Sequence, residues 1–224
     1  MTPPNAGRTA RERARAELTR EIKEEARRQL ATSGADGLSL RAVARELGMV
    51  SSALYRYFPS RDDLLTALII DSYDAIGSAV EEAIAAAPPE AARGGIVRER
   101  WLAACRAVRS WALAHPHEYA LIYGSPVPGY RAPEATIGPA SRVPVALVRI
   151  LRDAAASGPL AGGAPQTLPG QLADQATLVA AALAAAEGET GPAVPADALF
   201  GYAAERMAGF VVRRQSGTPE SSHG

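Results

Sequence analysis

The chain has 224 residues, 24 Lys+Arg against 24 Asp+Glu, 47% apolar residues and only 5% aromatics, so its length leaves room for one large or two small domains and its apolar content is ample for a core. No run of about 20 apolar residues lacks charges, which argues against a membrane span. The charged opening MTPPNAGRTARERARAELTR argues against a secretory signal, and the single cysteine, Cys105, rules out an internal disulfide framework and fits a reducing cytoplasm.

The charge is unevenly spread. Residues 1–61 hold 12 Lys+Arg and 7 Asp+Glu, net +5, and residues 62–224 hold 12 and 17, net −5. Residues 1–9 are expected to be disordered. A first helix is predicted from about Arg11 to Ala31, with Leu18, Ile22, Ala26 and Leu30 on its buried side, and SGADG breaks it. Leu40, Val43, Ala44 and Leu47 then repeat at the spacing of a short helix packed on one side. Ser39 can cap that helix, and Gly48 follows its last periodic residue, where a left-handed stop is cheapest. The chain restarts with SSALYRYF, in which Leu54, Tyr57 and Phe58 share one side and Ser52, Ala53, Tyr55 and Arg56 face out. Hydroxyls, a methyl, a phenol and a guanidinium on a short helix suit entry into a DNA major groove. The same two helices also suit an ordinary all-α core.

LSLRAVARELGM followed by LYRYFPSRDDLL closely resembles the DNA-binding domain of TetR-type (tetracycline-repressor-like) transcriptional regulators. The matching elements are the leucine–x–arginine opening, the A-x-E-L-G turn, the L-Y-x-x-F core and the serine-led start of the next helix. They cover about a quarter of the chain. Val50 departs from the pattern, standing where the family often has a capping serine, and Ser51 or Ser52 could take over that job. The resemblance implies that Arg41, Ser52, Ala53 and Arg56 meet base edges or nearby phosphates. It places Ser39, Ser51, Tyr55, Tyr57 and Arg61 among the remaining DNA-binding positions, with Ser51, Tyr55, Tyr57 and Arg61 on phosphates. The dipole of a helix starting at Arg61 would add to an anion site.

That helix is predicted to reach about Ala86 and to stop at Pro88-Pro89. Further helices are expected at about 91–114, 116–124, 134–156, 169–187 and 195–214, with Pro144 kinking or splitting the third. No alternating strand pattern is present. The expected fold is therefore all-α with about nine helices. It comprises a three-helix helix-turn-helix DNA-binding domain at 1–70, a helical ligand-binding and dimerisation domain at 71–216, and a disordered tail at 217–224.

The segment WALAHPHEYALIYGSPVPGY resembles the WHG-type C-terminal domain of a large group of TetR-like regulators, with Trp111, His115, Pro116, Tyr119, Leu121, Tyr123 and Gly124 matching. Trp111, His115, Tyr119 and Tyr123 are candidates for the wall of a small-molecule pocket. They serve equally as core residues with satisfied polar ends. His115, His117 and Glu118 lack zinc-site spacing, so no metal and no cofactor are expected. Cys105, with Arg106 and Arg109 nearby, reads as a small buried hydrophobe, or as a thiol sensor if its site is open. No phosphate loop, GxSxG or paired-carboxylate motif is present, which points away from an enzyme.

By resemblance, the two last helices form a four-helix homodimer interface. The implied function is a cytoplasmic homodimeric regulator that binds a palindromic double-stranded operator and is a repressor relieved by an unknown small-molecule effector. The alternative of a different class is a helical small-molecule binding protein without DNA-regulatory activity. A metal- or cysteine-dependent enzyme using Cys105, His115 and His117 is the third reading.

Overall fold

A computed structural model describes residues 6–87 and 93–156, with side chains described for 10–87 and 97–153. Seven α-helices and one 3₁₀ turn lie among them, and no strand. The expected helices at 169–187 and 195–214, and the tail at 217–224, lie outside the described residues.

The first helix, α1 (Ala6–Ser33), begins five residues before the expected start, so residues 6–9 are helical where disorder was expected. Alanine, arginine and glutamate are strong helix formers. Glu17, Arg20 and Glu24 add an i, i+3 and i, i+4 ion-pair chain along its outer side. The expected stripe is buried or half-buried, with Ile22 and Ala26 fully enclosed.

Helix α2 (Leu40–Glu46) is capped by Ser39, whose hydroxyl accepts from the Ala42 amide at 3.4 Å. Gly48 stops it with φ +64°, a conformation costly for any other residue. The Gly48 amide then reaches the Arg45 carbonyl and the Met49 amide reaches that of Ala44, the paired bonds of a Schellman stop. Helix α3 (Ser51–Leu54) is a single turn, continued by bonds from Tyr57 and Phe58 to the Leu54 carbonyl. Helix α4 (Arg61–Ala85) is capped by Ser60, as the sequence implies.

Leu40, Val43 and Ala44 of α2, Leu54 and Phe58, and Leu64, Leu65, Leu68 and Ile69 of α4 close over the α1 stripe in one apolar cluster. Enclosing such residues supplies most of the driving force for folding. Helix α5 (Arg93–Ala114) and α6 (Pro116–Tyr123) follow, with Pro116 in the first turn of α6, where its missing amide costs least. Leu121, Ile122, Val127 and Tyr130 pack against the same cluster, so α6 rests on α4 and α1.

A 3₁₀ turn at Glu134–Thr136 leads into α7 (Ile137–Ala156). Pro144 was expected to kink or split this segment. The helix is not split there and continues as one element through Pro144. One missing amide costs about 3 kcal/mol, and the apolar stripe Val143, Ala146, Ile150 and Leu151, all buried, offsets it.

Contacts divide the chain into two compact units, residues 1–86 with 102–143, and residues 87–101 with 144–224. In the first unit Arg142 grips α4. Its guanidinium donates to Glu81 at 2.7 and 3.0 Å, to the carbonyl and carboxylate of Asp74 at 2.9 Å, and to the Ser78 hydroxyl at 3.0 Å. Glu81 first, then Asp74, holds its positive charge more firmly than usual. Gly77 makes the approach possible, because a Cβ there would lie 2.9 Å from that of Arg142. In the second unit Arg100 pairs with Asp153 at 2.7 Å.

Candidate functional site

The candidate DNA-reading residues sit on a buried anchor. Leu54 and Phe58 are held in the core, so the same turn of backbone presents Ser52, Tyr55 and Arg56 to solvent, with Ser51, Ala53 and Tyr57 half-buried beside them. Tyr55 is 41% exposed. Arg41 lies exposed on α2, and Ser39 is half-buried at its cap. Exposed guanidinium and hydroxyl groups with a methyl beside them are the donors and contacts that base edges and phosphates call for.

Three details differ from the sequence reading. Val50 stands at the start of α3, 71% exposed, and no side chain caps that helix, so neither Ser51 nor Ser52 takes over the job. Arg61 does not extend freely towards solvent. Its guanidinium donates to the Ala35 carbonyl at 2.7 Å and the Leu38 carbonyl at 3.3 Å, tying the start of α4 to the loop between α1 and α2. The first turn of α4 also holds Asp62 and Asp63, with Ser60 capping, so the chain's own carboxylates meet its positive end. An incoming phosphate would meet those charges as well as the helix dipole.

Two arrangements were not foreseen. The Arg15 guanidinium lies over the ring of Tyr57, 5.5 Å from its centre, joining α1 to the end of the reading turn. Asp71 on α4 binds both Lys23 and Arg27 of α1 at 2.8 Å, and Arg27 also binds Glu118 of α6 at 2.9 Å. The four-residue spacing of Lys23 and Arg27, one step from the Ile22–Ala26 stripe, was visible in the sequence. Their partners, more than forty residues away, were not.

The aromatic candidates form two ring pairs. Trp111, 8% exposed, stacks on His115 with ring centres 4.8 Å apart. His115 Nδ1 lies 3.1 Å from the Trp111 carbonyl, a bond that requires the proton on Nδ1. Tyr119 meets Tyr123 at 5.1 Å, and Tyr123 meets the edge of Tyr73 at 5.9 Å. Burial first, then the neighbouring phenols Tyr73 and Tyr119, pushes the Tyr123 hydroxyl above its ordinary range. The Tyr73 hydroxyl donates to the Ile122 carbonyl at 3.0 Å, and Tyr130 meets Thr66 at 2.9 Å. The cluster thus touches α4 directly.

Among the described residues no group of three His, Cys, Asp or Glu is placed to hold a metal, and Glu118 is engaged by Arg27. Cys105 is exposed as a residue, not buried as its type suggested, while partial enclosure of its thiol pushes the pKa up and disfavours the reactive thiolate. Among the described residues no helix is long and apolar enough to cross a membrane.

Comparison with known proteins bears on the same segments. The family described as bacterial regulatory proteins, tetR family, matches residues 22–68, and the family described as tetracyclin repressor-like, C-terminal domain, matches residues 101–215. The chain belongs to the tetracycline-repressor-like family. Its N-terminal match runs from the enclosed part of α1 to the first two turns of α4, and so contains the whole reading turn.

Among curated relatives of this TetR-type chain, HTH-type transcriptional regulator Rv1816 of Mycobacterium tuberculosis and Mb1846 of Mycobacterium bovis are each 50% identical over 135 residues, 58% of this chain. The chain spans about half the length of these relatives, 54%. Among solved structures, that of regulatory protein SCO4313 has 32% identity and a TM-score of 0.58, covering 92% of this chain and 88% of that one. A protein with unknown function from Rhodococcus sp. RHA1 has 30% identity and a TM-score of 0.55, covering 85% and 92%.

Proposed function

We propose that this chain is a sequence-specific DNA-binding transcriptional regulator. The observation that carries the reading is the exposed Ser52–Tyr55–Arg56 surface, held rigid from beneath by Leu54 and Phe58 in a segment that matches bacterial regulatory proteins. Ser39, Arg41, Ser51, Ala53, Tyr57 and Arg61 complete the proposed interface, with residues 1–70 as the DNA-binding domain. Residues 71–216 would bind the effector and dimerise, and residues 217–224 would form a tail. As a cytoplasmic homodimer it would place two readers on a palindromic operator. Its role would be that of a non-enzymatic repressor, relieved by a small molecule seated on the Trp111, His115, Tyr119 and Tyr123 cluster.

Coupling would run through α4. The cluster touches it at Tyr73, and Asp71, two residues away, holds α1, while Glu118 on α6 shares Arg27 with Asp71. A ligand that favours a form with displaced readers lowers operator affinity by its differential affinity for that form.

The test is selection of duplexes from a random pool by purified chain at near-physiological salt. A recovered two-fold-symmetric site is expected. Arg56→Ala should then cost about 1–3 kcal/mol on that site and relax preference at one position. Recovery of no preferred duplex would sink the regulator reading and leave the helical small-molecule binding protein in its place.

A further inference from the structure

The buried stripe of α1 does not end where the core ends. Going back from Leu30, Ala26, Ile22 and Leu18 in helical steps of three and four, the same face continues as Arg15 and Arg11, and the spacing reaches Arg8 in sequence. Residues 10–17 are all exposed, so this part of α1 projects past the apolar cluster with arginine where the enclosed part has aliphatic side chains. Arg15 fixes the direction of that face, since it lies over Tyr57 at the end of the reading turn. The carboxylates Glu17 and Glu24 are taken up by Arg20 on the opposite side of the helix, which lowers the Glu17 pKa. Glu12 flanks the stripe.

We infer that this projecting part of α1 is a second, sequence-independent contact with duplex DNA, its Arg11 and Arg15 meeting phosphates that flank the bases read by α3. The inference rests on the DNA-binding reading above but concerns residues outside the matched segment 22–68. Charge complementarity commits the partner. Guanidinium groups aligned on the reader's side of a helix, with Glu17 and Glu24 turned away, suit a phosphate backbone. A solvated arginine face would show no such alignment with the buried stripe.

The experiment measures affinity of the full chain for a mixed-sequence duplex across salt concentrations. Arg11→Gln with Arg15→Gln should make the log–log slope shallower by about 1.8 per protomer, 0.9 for each lost phosphate contact. Arg11→Lys with Arg15→Lys should restore it. Arg13→Gln removes one charge from the other side of the helix and should leave the slope near the parent's. An unchanged slope in the double glutamine variant, or an equal loss from Arg13→Gln, overturns the inference while leaving the regulator reading intact. A parent that selects no sequence yet loses slope in the double variant does the reverse. A thermal midpoint equal to the parent's separates lost contacts from lost folding.

Discussion

In residues 38–69 most of the large apolar side chains are enclosed, Val50 being the exception, and most of the polar ones are left outside. In residues 111–130 Trp111 is buried, but the rings of Tyr119, Tyr123 and Tyr130 stand partly in solvent. Leu54 is fully buried, whereas Tyr123 is 45% exposed and Tyr119 half-buried. The first region has satisfied stops at both ends of α2 and a cap on α4. The second is joined to the rest by contacts scattered over several elements: the hydrogen bonds of Tyr73 to Ile122 and of Tyr130 to Thr66, the Arg27–Glu118 ion pair, and the packing of Leu121, Ile122 and Val127 on the headpiece cluster. A surface that reads base edges has to hold its shape before the partner arrives, because misplaced donors lose affinity. A surface that responds to a small molecule gains from being easier to shift.

The largest effect tests that contrast directly. Leu54→Ala should cost about 2–5 kcal/mol of unfolding free energy, because a fully enclosed side chain leaves a cavity under the reading turn. Tyr123→Ala should cost about 1 kcal/mol, since its ring contacts are partly wet. Denaturant unfolding measures both, and equal losses would break the comparison.

Arg61 is the next test, because it belongs to both accounts. Its bonds to Ala35 and Leu38 make it a clasp within the headpiece, while its place beside the reader suits a phosphate contact. Arg61→Ala should lower stability by about 1.5–3 kcal/mol, the range for hydrogen bonds to charged groups. A stable variant would show that the clasp is weak. A phosphate contact would separately make the salt slope shallower by about 0.9, and an unchanged slope would leave the clasp as the whole role.

Local signals made most of the headpiece readable. Ser39, Gly48 and Ser60 each act on backbone groups within a few residues, so spacing alone located the ends of α2 and the start of α4. The stripes Leu18–Leu30 and Leu40–Val43–Ala44 identified the core for the same reason. What escaped was set by partners distant in sequence. Asp71 with Lys23 and Arg27, Arg142 with Asp74 and Glu81, and Arg61 with the Ala35 and Leu38 carbonyls all join separate elements. The stops at Pro88-Pro89 and Pro144 marked helix breaks by local rules, yet α7 passes through Pro144, where packing of its apolar stripe outweighs one missing bond. The ring pairs Trp111–His115 and Tyr119–Tyr123 followed from four-residue spacing, while the contact of Tyr123 with Tyr73 did not.

The smallest effect sits at Val50, where no side chain caps the start of α3. The backbone there is already extended, φ −71° and ψ 135°, as a capping residue requires, but valine has no acceptor to offer. Val50→Ser should therefore stabilise the chain by about 0.5–1 kcal/mol, since it adds a hydroxyl acceptor and removes little enclosed surface from a side chain that is 71% exposed. A higher denaturation midpoint is the expected outcome, and a lower one would mean that the valine methyls pack in a way their exposure conceals. Repeating the duplex selection with the same variant separates two roles for that exposed side chain. A shifted preference at a thymine position would place the methyls against a base, and an unchanged site with a raised midpoint would leave Val50 as a missing cap alone.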